Sequence, residues 1–275
     1  MDTDPRQRSV DADRYDEVYF LSACEGYREF ISSEGRRLSR RLEQAFAAAE
    51  IAPGMKVLDI GCGRGEILRH CTRLGAEAYG IDYSSVAVHM ASELAEQDGE
   101  ARVNLADAKV LPFRSTTFDR VLMLDLVEHL HPWELQRALS EARRVLRAQG
   151  RLVVHTAPNV WYDRYAYPVV RWVRTLMGEG HKYPKDPRAV TPANLDVHVN
   201  EQSTLSLKRA LRQADFHADV WLDTPPQDRD EGLVFQVARH ILFNWVPFRW
   251  FFEREVFAVA SVRGERAGTS PPSRR

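Results

Sequence analysis

One run, residues 57–66, constrains this chain of 275 residues more than any other segment. It reads VLDIGCGRGE, so aliphatic residues predict a buried strand and glycine then occupies positions 61, 63 and 65. Glycine is needed where the backbone adopts positive φ or passes close to another group, because a Cβ would block that approach. Helix-forming residues follow from Glu66. A strand, a glycine turn and a helix N-terminus predict free backbone N–H groups that bind a nucleotide-like or carboxylate ligand.

A second acidic residue closes the next predicted strand. The turn reads Gly61-x-Gly63-x-Gly65, which differs from the G-x-G-x-x-G spacing of dinucleotide-binding folds. Residues 78–82 then form a short apolar run that ends at Asp82. A carboxylate at the tip of the second strand can accept hydrogen bonds from both hydroxyls of a ribose. Dinucleotide folds share this feature, so Asp82 alone does not identify the ligand.

Five motifs, in order from about residue 51 to residue 159, resemble those of class I S-adenosylmethionine-dependent methyltransferases. They are the glycine turn, the acid after the second strand, a segment that meets the adenine amino group, the fourth strand with its exit at residues 118–130, and the turn into the fifth strand at residues 146–154. A dehydrogenase accounts for only the first two. The resemblance implies S-adenosylmethionine as the cofactor. It implies these contacts: Asp59, Gly61, Gly63, Gly65, Asp82, Tyr83, Asp107, Ala108 and Asp125.

Composition places limits on the class of protein. A net charge of −1 provides no general attraction for polyanions, so we do not expect nucleic acid as a partner. The three cysteines show no metal-ligand spacing and are typical of reduced, buried thiols. The N-terminal residues are rich in charge and do not resemble a signal peptide. We therefore expect a cytoplasmic protein.

Strands alternate with helices along most of the chain, which predicts a Rossmann-like α/β fold: a seven-stranded, mostly parallel sheet with helices on both faces. The predicted strands lie near residues 55–60, 77–81, 102–105, 118–124, 151–156, 216–222 and 255–262. The predicted helices lie near residues 64–73, 84–97, 132–146 and 201–214. We expect residues 1–50 to form an N-terminal helical cap with two helices, the second of them over residues 34–50. Residues 51–262 form the methyltransferase domain, and residues 263–275 are a disordered tail.

Two segments exceed this minimal fold. Residues 160–199 follow the fifth strand and are rich in aromatic and basic side chains, so we expect them to form a lid over the substrate. Residues 232–252 are an apolar insertion with many aromatic side chains, which suits a buried hairpin, an apolar or lipid-linked acceptor, or peripheral membrane contact. In the cap, Tyr19 and Tyr27 are candidate residues for closing over cofactor and acceptor.

Histidines near the carboxyl edge of the sheet are candidates for a general base. Methyl transfer from a sulfonium is an in-line displacement, so the protein mainly aligns the reacting groups, and a hydroxyl acceptor also needs a base. His155 ends the fifth strand and is the preferred candidate. His129, His131 and His198 are the alternatives.

The sequence Asp125-x-x-Glu128-His129 resembles the E-x-x-E-H pattern of metal-dependent members, among them small-RNA 2′-O-methyltransferases and ubiquinone-pathway O-methyltransferases. There, two carboxylates and two histidines hold a divalent ion, and His198 is the candidate for the later histidine. Asp125 is one carbon shorter than the pattern requires, and Glu-His-Leu also follows this strand in members without metal. A site without metal is therefore the preferred interpretation, and a divalent ion is the alternative.

The sequence predicts methyl transfer to a small-molecule acceptor, most readily to oxygen of a natural-product, sugar or quinone-like substrate. One alternative is a metal-dependent RNA 2′-O-methyltransferase, which the neutral net charge does not favour. The other is a non-catalytic protein that binds the cofactor and serves as an interaction partner. The oligomeric state is not predicted.

Overall fold

The computed structural model describes residues 8–98, 101–223, 241–243 and 245–263. They contain one seven-stranded sheet with the order β3-β2-β1-β4-β5-β7-β6. The strands are β1 (Lys56–Ile60), β2 (Glu77–Asp82), β3 (Arg102–Leu105), β4 (Phe118–Leu124), β5 (Leu146–Thr156), β6 (Phe216–Leu222) and β7 (Val256–Val262). The helices are α1 (Glu17–Ser22), α2 (Tyr27–Ser33), α3 (Arg40–Ala49), α4 (Glu66–Arg73), α5 (Ser85–Asp98), α6 (Pro132–Val145), α7 (Tyr167–Leu176), α8 (Asn194–Val197), α9 (Thr204–Gln213) and α10 (Phe248–Phe252).

The sheet is mixed, as the sequence predicts. Strands β1 to β5 pair in parallel, whereas β7 runs antiparallel between β5 and β6. The strand order reverses between β1 and β4. In open α/β sheets, ligands bind beyond the carboxyl ends of the strands at such a reversal. We therefore expect a ligand site at the loops that follow β1, β2 and β4.

Helices cover both faces of the sheet, which explains the nearly continuous apolar character of the central strands. On one face, α6 and α9 pack against strand residues such as Leu58 and Val154. On the other face, α3, α4 and α5 pack against residues such as Val57 and Val153. Neighbouring residues of one strand thus pack into different cores, and the two cores together fix the central strands in place.

The N-terminal segment contains three short helices where the sequence predicts two. Gly26 and Glu34 adopt left-handed backbone conformations, with φ of 71° and 52°, and these interrupt the helical run on either side of α2. A third helix, α3, then begins after Ser39, whose side chain accepts a hydrogen bond from the backbone N–H of Leu42. The prediction of a helix from residue 34 to residue 50 was therefore wrong at its N-terminal end.

Residues 160–199 form a helical insertion after β5. A π-helical turn (Tyr162–Ala166) continues directly into α7, and short turns lead to α8. Of the predicted apolar insertion, residues 241–243 and 245–252 are described, while residues 232–240 and 244 lie outside the described residues. Of the predicted disordered tail, only Arg263 is described. Within the described part of the chain, no helix is both long and apolar enough to span a bilayer.

Candidate active site

A cavity lies at the carboxyl ends of β1, β2 and β4, where the strand order reverses. Its walls come from the glycine turn, the ends of β2 and β4, the loop after β3, and the N-terminal segment, which covers it. The predicted cofactor contacts that line it are Asp59, Gly61, Gly63, Asp82, Tyr83, Asp107, Ala108, Asp125 and Tyr19. The structure therefore brings most of the sequence-predicted contacts together around one space.

Asp82 is fixed at the cavity wall by the backbone. Its carboxylate accepts hydrogen bonds from the N–H of Gly63 and the N–H of Ser84, each at 3.0 Å. Burial raises the pKa of Asp82, and these backbone donors oppose that shift. Gly63 adopts φ of 51°, and a Cβ there would meet only the ring of Phe20, at 3.7 Å. The turn thus leaves open space beside a carboxylate of fixed orientation, as a ribose requires.

Asp59 lies deeper beneath the turn. It is 3% exposed, and burial raises its pKa to about 8, with the carboxylates of Glu66 and Asp82 adding to the shift. Glu66 does not carry an unpaired charge, because its carboxylate lies 2.5 Å from the guanidinium of Arg64. A buried carboxyl group next to the cavity suits a ligand that brings positive charge or hydrogen-bond donors.

Gly65 has a packing role and does not line the cavity, so its predicted cofactor contact is corrected. It adopts φ of 85°, and a Cβ would lie 2.9 Å from both Cα and Cβ of Ala91. Gly65 therefore permits the close approach of α5 to the start of α4. The third glycine of the motif serves helix packing, and the first two border the ligand space.

The part of the cavity beside the loop after β3 is polar. Asp107 and Ala108 line it, and the ammonium of Lys109 lies 3.0 Å from Asp107 and 2.8 Å from Glu134. Ser9 donates a hydrogen bond of 2.5 Å to the same oxygen of Glu134. These contacts hold the segment around Ser9 across the cavity. Sequence reasoning missed Lys109, Glu134 and Ser9, because their pairing joins three distant parts of the chain.

The cap closes the cavity through Tyr15 and Tyr19, whose rings meet edge to face at 5.1 Å. Tyr19 thus occupies the predicted position, whereas Tyr15 was missed. Tyr27 does not line the cavity: its hydroxyl accepts a hydrogen bond from the neighbouring Arg28, so its predicted role as a closing residue is corrected.

Residues 160–199 are all described, and none of them lines this cavity. The cover that the structure shows is the N-terminal cap.

His129 is the histidine that faces the cavity. Its Nδ1 lies 3.0 Å from the hydroxyl of Tyr15 and 3.2 Å from the carbonyl oxygen of Val197. Burial lowers its pKa to about 4, with Asp125 and the Val197 carbonyl opposing that shift. The imidazole is therefore neutral near pH 7. Because Nδ1 is occupied, Nε2 is the nitrogen left to interact with a bound molecule.

His155 does not reach the cavity, which corrects the preferred assignment of the general base. Its side chain is 0% exposed, its Nδ1 lies 2.8 Å from Oδ1 of Asp125, and its ring packs on Phe257 at 4.5 Å. The guanidinium of Arg41 lies 3.7 Å from the same Asp125 oxygen and 3.3 Å from Glu255. The imidazole and the guanidinium hold the pKa of Asp125 well below its usual range, against the effect of burial. His155 and Arg41 thus keep Asp125 ionised at the cavity wall.

His198 lies behind His129 and does not line the cavity, so its role as a base is also corrected. The two rings meet edge to face at 4.9 Å, and burial lowers the pKa of His198 to about 3. Donor atoms of Glu128, His129 and His198 lie within 4.8 Å of one another, which is close enough to share a divalent ion. The fourth predicted ligand, Asp125, is not part of this group, because it pairs with His155 and Arg41.

Glu128 fits a metal site poorly. Its carboxylate accepts a hydrogen bond of 2.7 Å from the hydroxyl of Thr156, and burial together with the charge of Asp125 raises its pKa to about 8. A neutral carboxyl group is a weak metal ligand, so this group would bind an ion only after losing a proton. The donors therefore fit a divalent ion in number but not in protonation state.

Comparison with known proteins identifies the family. The model of the methyltransferase domain matches residues 58–154. A ubiquinone biosynthesis O-methyltransferase of Rhodopseudomonas palustris (strain TIE-1) is 27% identical over 203 residues, which are 72% of this chain and 78% of the relative. A ubiquinone/menaquinone biosynthesis C-methyltransferase of Paraburkholderia phymatum is 27% identical over 184 residues, which are 62% of this chain and 71% of the relative.

A solved structure shares the fold. Geranyl diphosphate methyltransferase in complex with S-adenosylmethionine superimposes with a TM-score of 0.58 at 20% identity, and the match covers 92% of this chain and 95% of that one. The matched methyltransferase model covers the strands from β1 to β5 and the loops between them, which form the cavity apart from its N-terminal cover. The chain therefore belongs to the class I S-adenosylmethionine-dependent methyltransferase family, and S-adenosylmethionine is its cofactor.

Proposed function

We propose that this methyltransferase transfers the methyl group of S-adenosylmethionine to a hydroxyl of a small, aromatic or quinone-like acceptor. The observation that carries the proposal is His129, a neutral imidazole on the cavity wall beyond β4, enclosed by the rings of Tyr15 and Tyr19. The relative named a ubiquinone biosynthesis O-methyltransferase supports an oxygen acceptor of this class. The net charge of −1 favours a small molecule over RNA.

The residues that line the cavity suit the parts of the cofactor as follows. Asp82 would accept hydrogen bonds from the ribose hydroxyls, and Gly61 and Gly63 would allow the backbone to approach the methionine part. Asp107 and Ala108 would border the adenine, while Tyr83 and Tyr19 would cover the cofactor. The ionised Asp125 would offer its charge to the sulfonium, and Asp59 would add a buried carboxyl group near it.

Bound S-adenosylmethionine would supply an activated methyl group for in-line displacement by the acceptor oxygen, with its own thioether as the leaving group. Nε2 of His129 would accept the hydroxyl proton. Tyr15 and the Val197 carbonyl orient the imidazole through Nδ1. His155 and Arg41 act on Asp125 and do not touch the acceptor in this scheme. Residues 160–199 approach the site through Val197 and His198, and also through Val199, whose N–H donates to the Glu128 carbonyl at 2.9 Å. We propose that this insertion borders the path of the acceptor.

The test is turnover with a panel of catechols, phenols, quinols and sugars, with mass analysis for one added methyl group. His129→Ala should lower kcat by about 10²–10⁴-fold while the affinity for S-adenosylmethionine changes little. His89→Ala is a matched control, because His89 is an exposed histidine on α5. If His129→Ala stays within about threefold of the wild-type rate, His129 is not the base. If products carry the new methyl on carbon or nitrogen, the oxygen acceptor is refuted.

A metal-assisted reaction is the second candidate, and the proximity of Glu128, His129 and His198 is the observation that favours it. A bound divalent ion would lower the pKa of an acceptor hydroxyl. Full turnover in the presence of a chelator would exclude this candidate and leave the histidine mechanism. Loss of turnover in chelator that Mg²⁺ or Mn²⁺ restores would establish it.

A further inference from the structure

Helix α7 presents an apolar stripe to solvent. Tyr165, Val169, Trp172 and Leu176 follow one another at spacings of four, three and four residues, so they share one helical face. All four are exposed, with Trp172 at 63% and Leu176 at 71%. The opposite side is anchored to the domain, because Ala166 and Tyr167 are buried. An amphipathic helix normally buries its apolar face, so this orientation requires an explanation.

The short helix α10 extends the same apolar area. Phe248 and Trp250 are each 45% exposed, and Phe251 contacts the rings of Trp161 and Tyr165 at 5.8 Å and 5.7 Å. A shallow groove lined by aromatic residues lies between the two helices. We call the exposed set the aromatic surface; its members are Tyr165, Val169, Trp172, Leu176, Phe248 and Trp250.

The segment that contains α7 is basic. Residues 160–188 carry six Lys or Arg and three Asp or Glu, a net charge of +3 in a chain whose net charge is −1. Arg164, Lys182 and Lys185 are exposed, and the Arg164 guanidinium lies over the ring of Tyr165 at 5.7 Å. The aromatic surface therefore borders a segment whose net charge is opposite in sign to that of the whole chain.

We propose that the aromatic surface docks the protein on an anionic lipid bilayer, with α7 in the plane of the interface. Trp and Tyr rings are favoured at the boundary between headgroups and acyl chains, and flanking Lys and Arg attract anionic headgroups. A protein partner or a second copy would also cover apolar area, but the net positive charge of residues 160–188 is complementary to anionic lipid and not to a like-charged copy of the same surface. This docking does not depend on the identity of the acceptor.

Co-sedimentation of the full chain with vesicles tests the proposal. Vesicles of phosphatidylcholine alone are compared with vesicles that also contain phosphatidylglycerol. The wild-type protein should bind the anionic vesicles more tightly, and added salt should weaken this binding. Leu176→Glu should lower the partition coefficient by about tenfold or more, because it removes one leucine that the bilayer would bury and adds a negative charge. Leu205→Glu on α9 is the matched control, since Leu205 is 62% exposed outside the surface and should bind as wild type.

Three outcomes would overturn the docking. The first is a wild-type protein that binds neither kind of vesicle at low salt. The second is Leu176→Glu binding as tightly as Leu205→Glu. The third is a dimer in sedimentation equilibrium that Leu176→Glu dissociates, without vesicle binding by the wild type, which would assign the surface to a second copy. Circular dichroism of both variants establishes that each is folded before the comparison is made.

Discussion

The glycines of the turn after β1 have different tasks, and replacing each with alanine separates them. Gly54, which precedes β1, serves as the comparison for Gly65. Both adopt left-handed conformations, with φ of 85° for Gly65 and 79° for Gly54. A Cβ at Gly65 would lie 2.9 Å from Ala91, whereas a Cβ at Gly54 would meet nothing within 4 Å. An alanine with left-handed φ and ψ costs about 1–2 kcal/mol of backbone strain. At Gly65, overpacking against α5 adds about 1–3 kcal/mol.

We therefore expect Gly65→Ala to lower the free energy of unfolding by about 2–5 kcal/mol and Gly54→Ala by about 1–2 kcal/mol. The entropy that alanine removes from the unfolded chain is the same for both variants and cancels in the comparison. The difference is measurable by urea denaturation followed by circular dichroism, because whole domains are stable by only about 5–15 kcal/mol. Equal losses for the two variants would refute the close approach of Gly65 to Ala91.

Gly63→Ala completes the series. Its Cβ would extend towards the cavity, with the Phe20 ring at 3.7 Å as its nearest neighbour, so stability should fall no more than in Gly54→Ala. The added methyl group occupies space that the cofactor needs, and we expect the affinity for S-adenosylmethionine to fall by about tenfold or more, which is 1.4 kcal/mol or more. Calorimetric titration measures this affinity. Wild-type affinity in Gly63→Ala would show that the cofactor does not pass this residue.

Three further predictions concern ionisable residues. Asp82→Ala should weaken S-adenosylmethionine binding by about tenfold or more in calorimetry, and Asp82→Asn should lower the melting temperature less than Asp82→Ala, because an amide oxygen can still accept from Gly63 or Ser84. Because burial lowers the pKa of His129 to about 4, the acid limb of kcat against pH should lie well below pH 6.5; a limb near 6.5 would identify another base. Burial raises the pKa of Asp59 to about 8 in the folded protein. The stability that protonated Asp59 contributes is therefore fully present below the pKa of this group in the unfolded chain and is lost as the pH rises to 8. The melting temperature of Asp59→Asn should fall less than that of the wild type between pH 6 and pH 9; equal falls would refute the raised pKa.

The fold and the cofactor were predictable because both depend on local patterns. Parallel strands buried on both faces give uninterrupted apolar runs, and residues 118–124 match β4 without a shift. The acids that matter for the cofactor stand at strand ends, so their position along the chain also gives their position in space. Asp82 is the clearest case, since it ends β2 and lines the cavity.

The cap was predicted less well because distant contacts determine where its helices break. Arg64 of the glycine turn donates hydrogen bonds to the carbonyl oxygens of Phe20 and Glu25, on either side of the chain reversal before Gly26. The backbone of residues 20–26 is thus held by a side chain from another part of the chain. Helical propensity in residues 11–50 carries no information about that contact, so the sequence predicted fewer and longer helices.

The direction of the His155 side chain could not be predicted for a related reason. A residue at the end of a strand is certain to lie at the sheet edge, but the direction of its side chain depends on its neighbours. Leu124 pairs with His155 in the register of β4 and β5, and Asp125 then adopts φ of 51°, which brings its carboxylate to the imidazole. His155 is therefore engaged in holding Asp125.

His129 lies four residues beyond Asp125, and the short helical turn Val127–His129 carries it to the cavity wall. The charge at this wall is set jointly by Arg41 of the cap and by His155 and Glu255 of the sheet, all of which contact one another or Asp125. The N-terminal segment thus supplies both Arg41, which lies 3.7 Å from Asp125, and Tyr15, whose hydroxyl lies 3.0 Å from His129. The charge of Asp125 and the orientation of the His129 imidazole therefore both depend on residues of the N-terminal segment, and neither is encoded by any single segment of the chain.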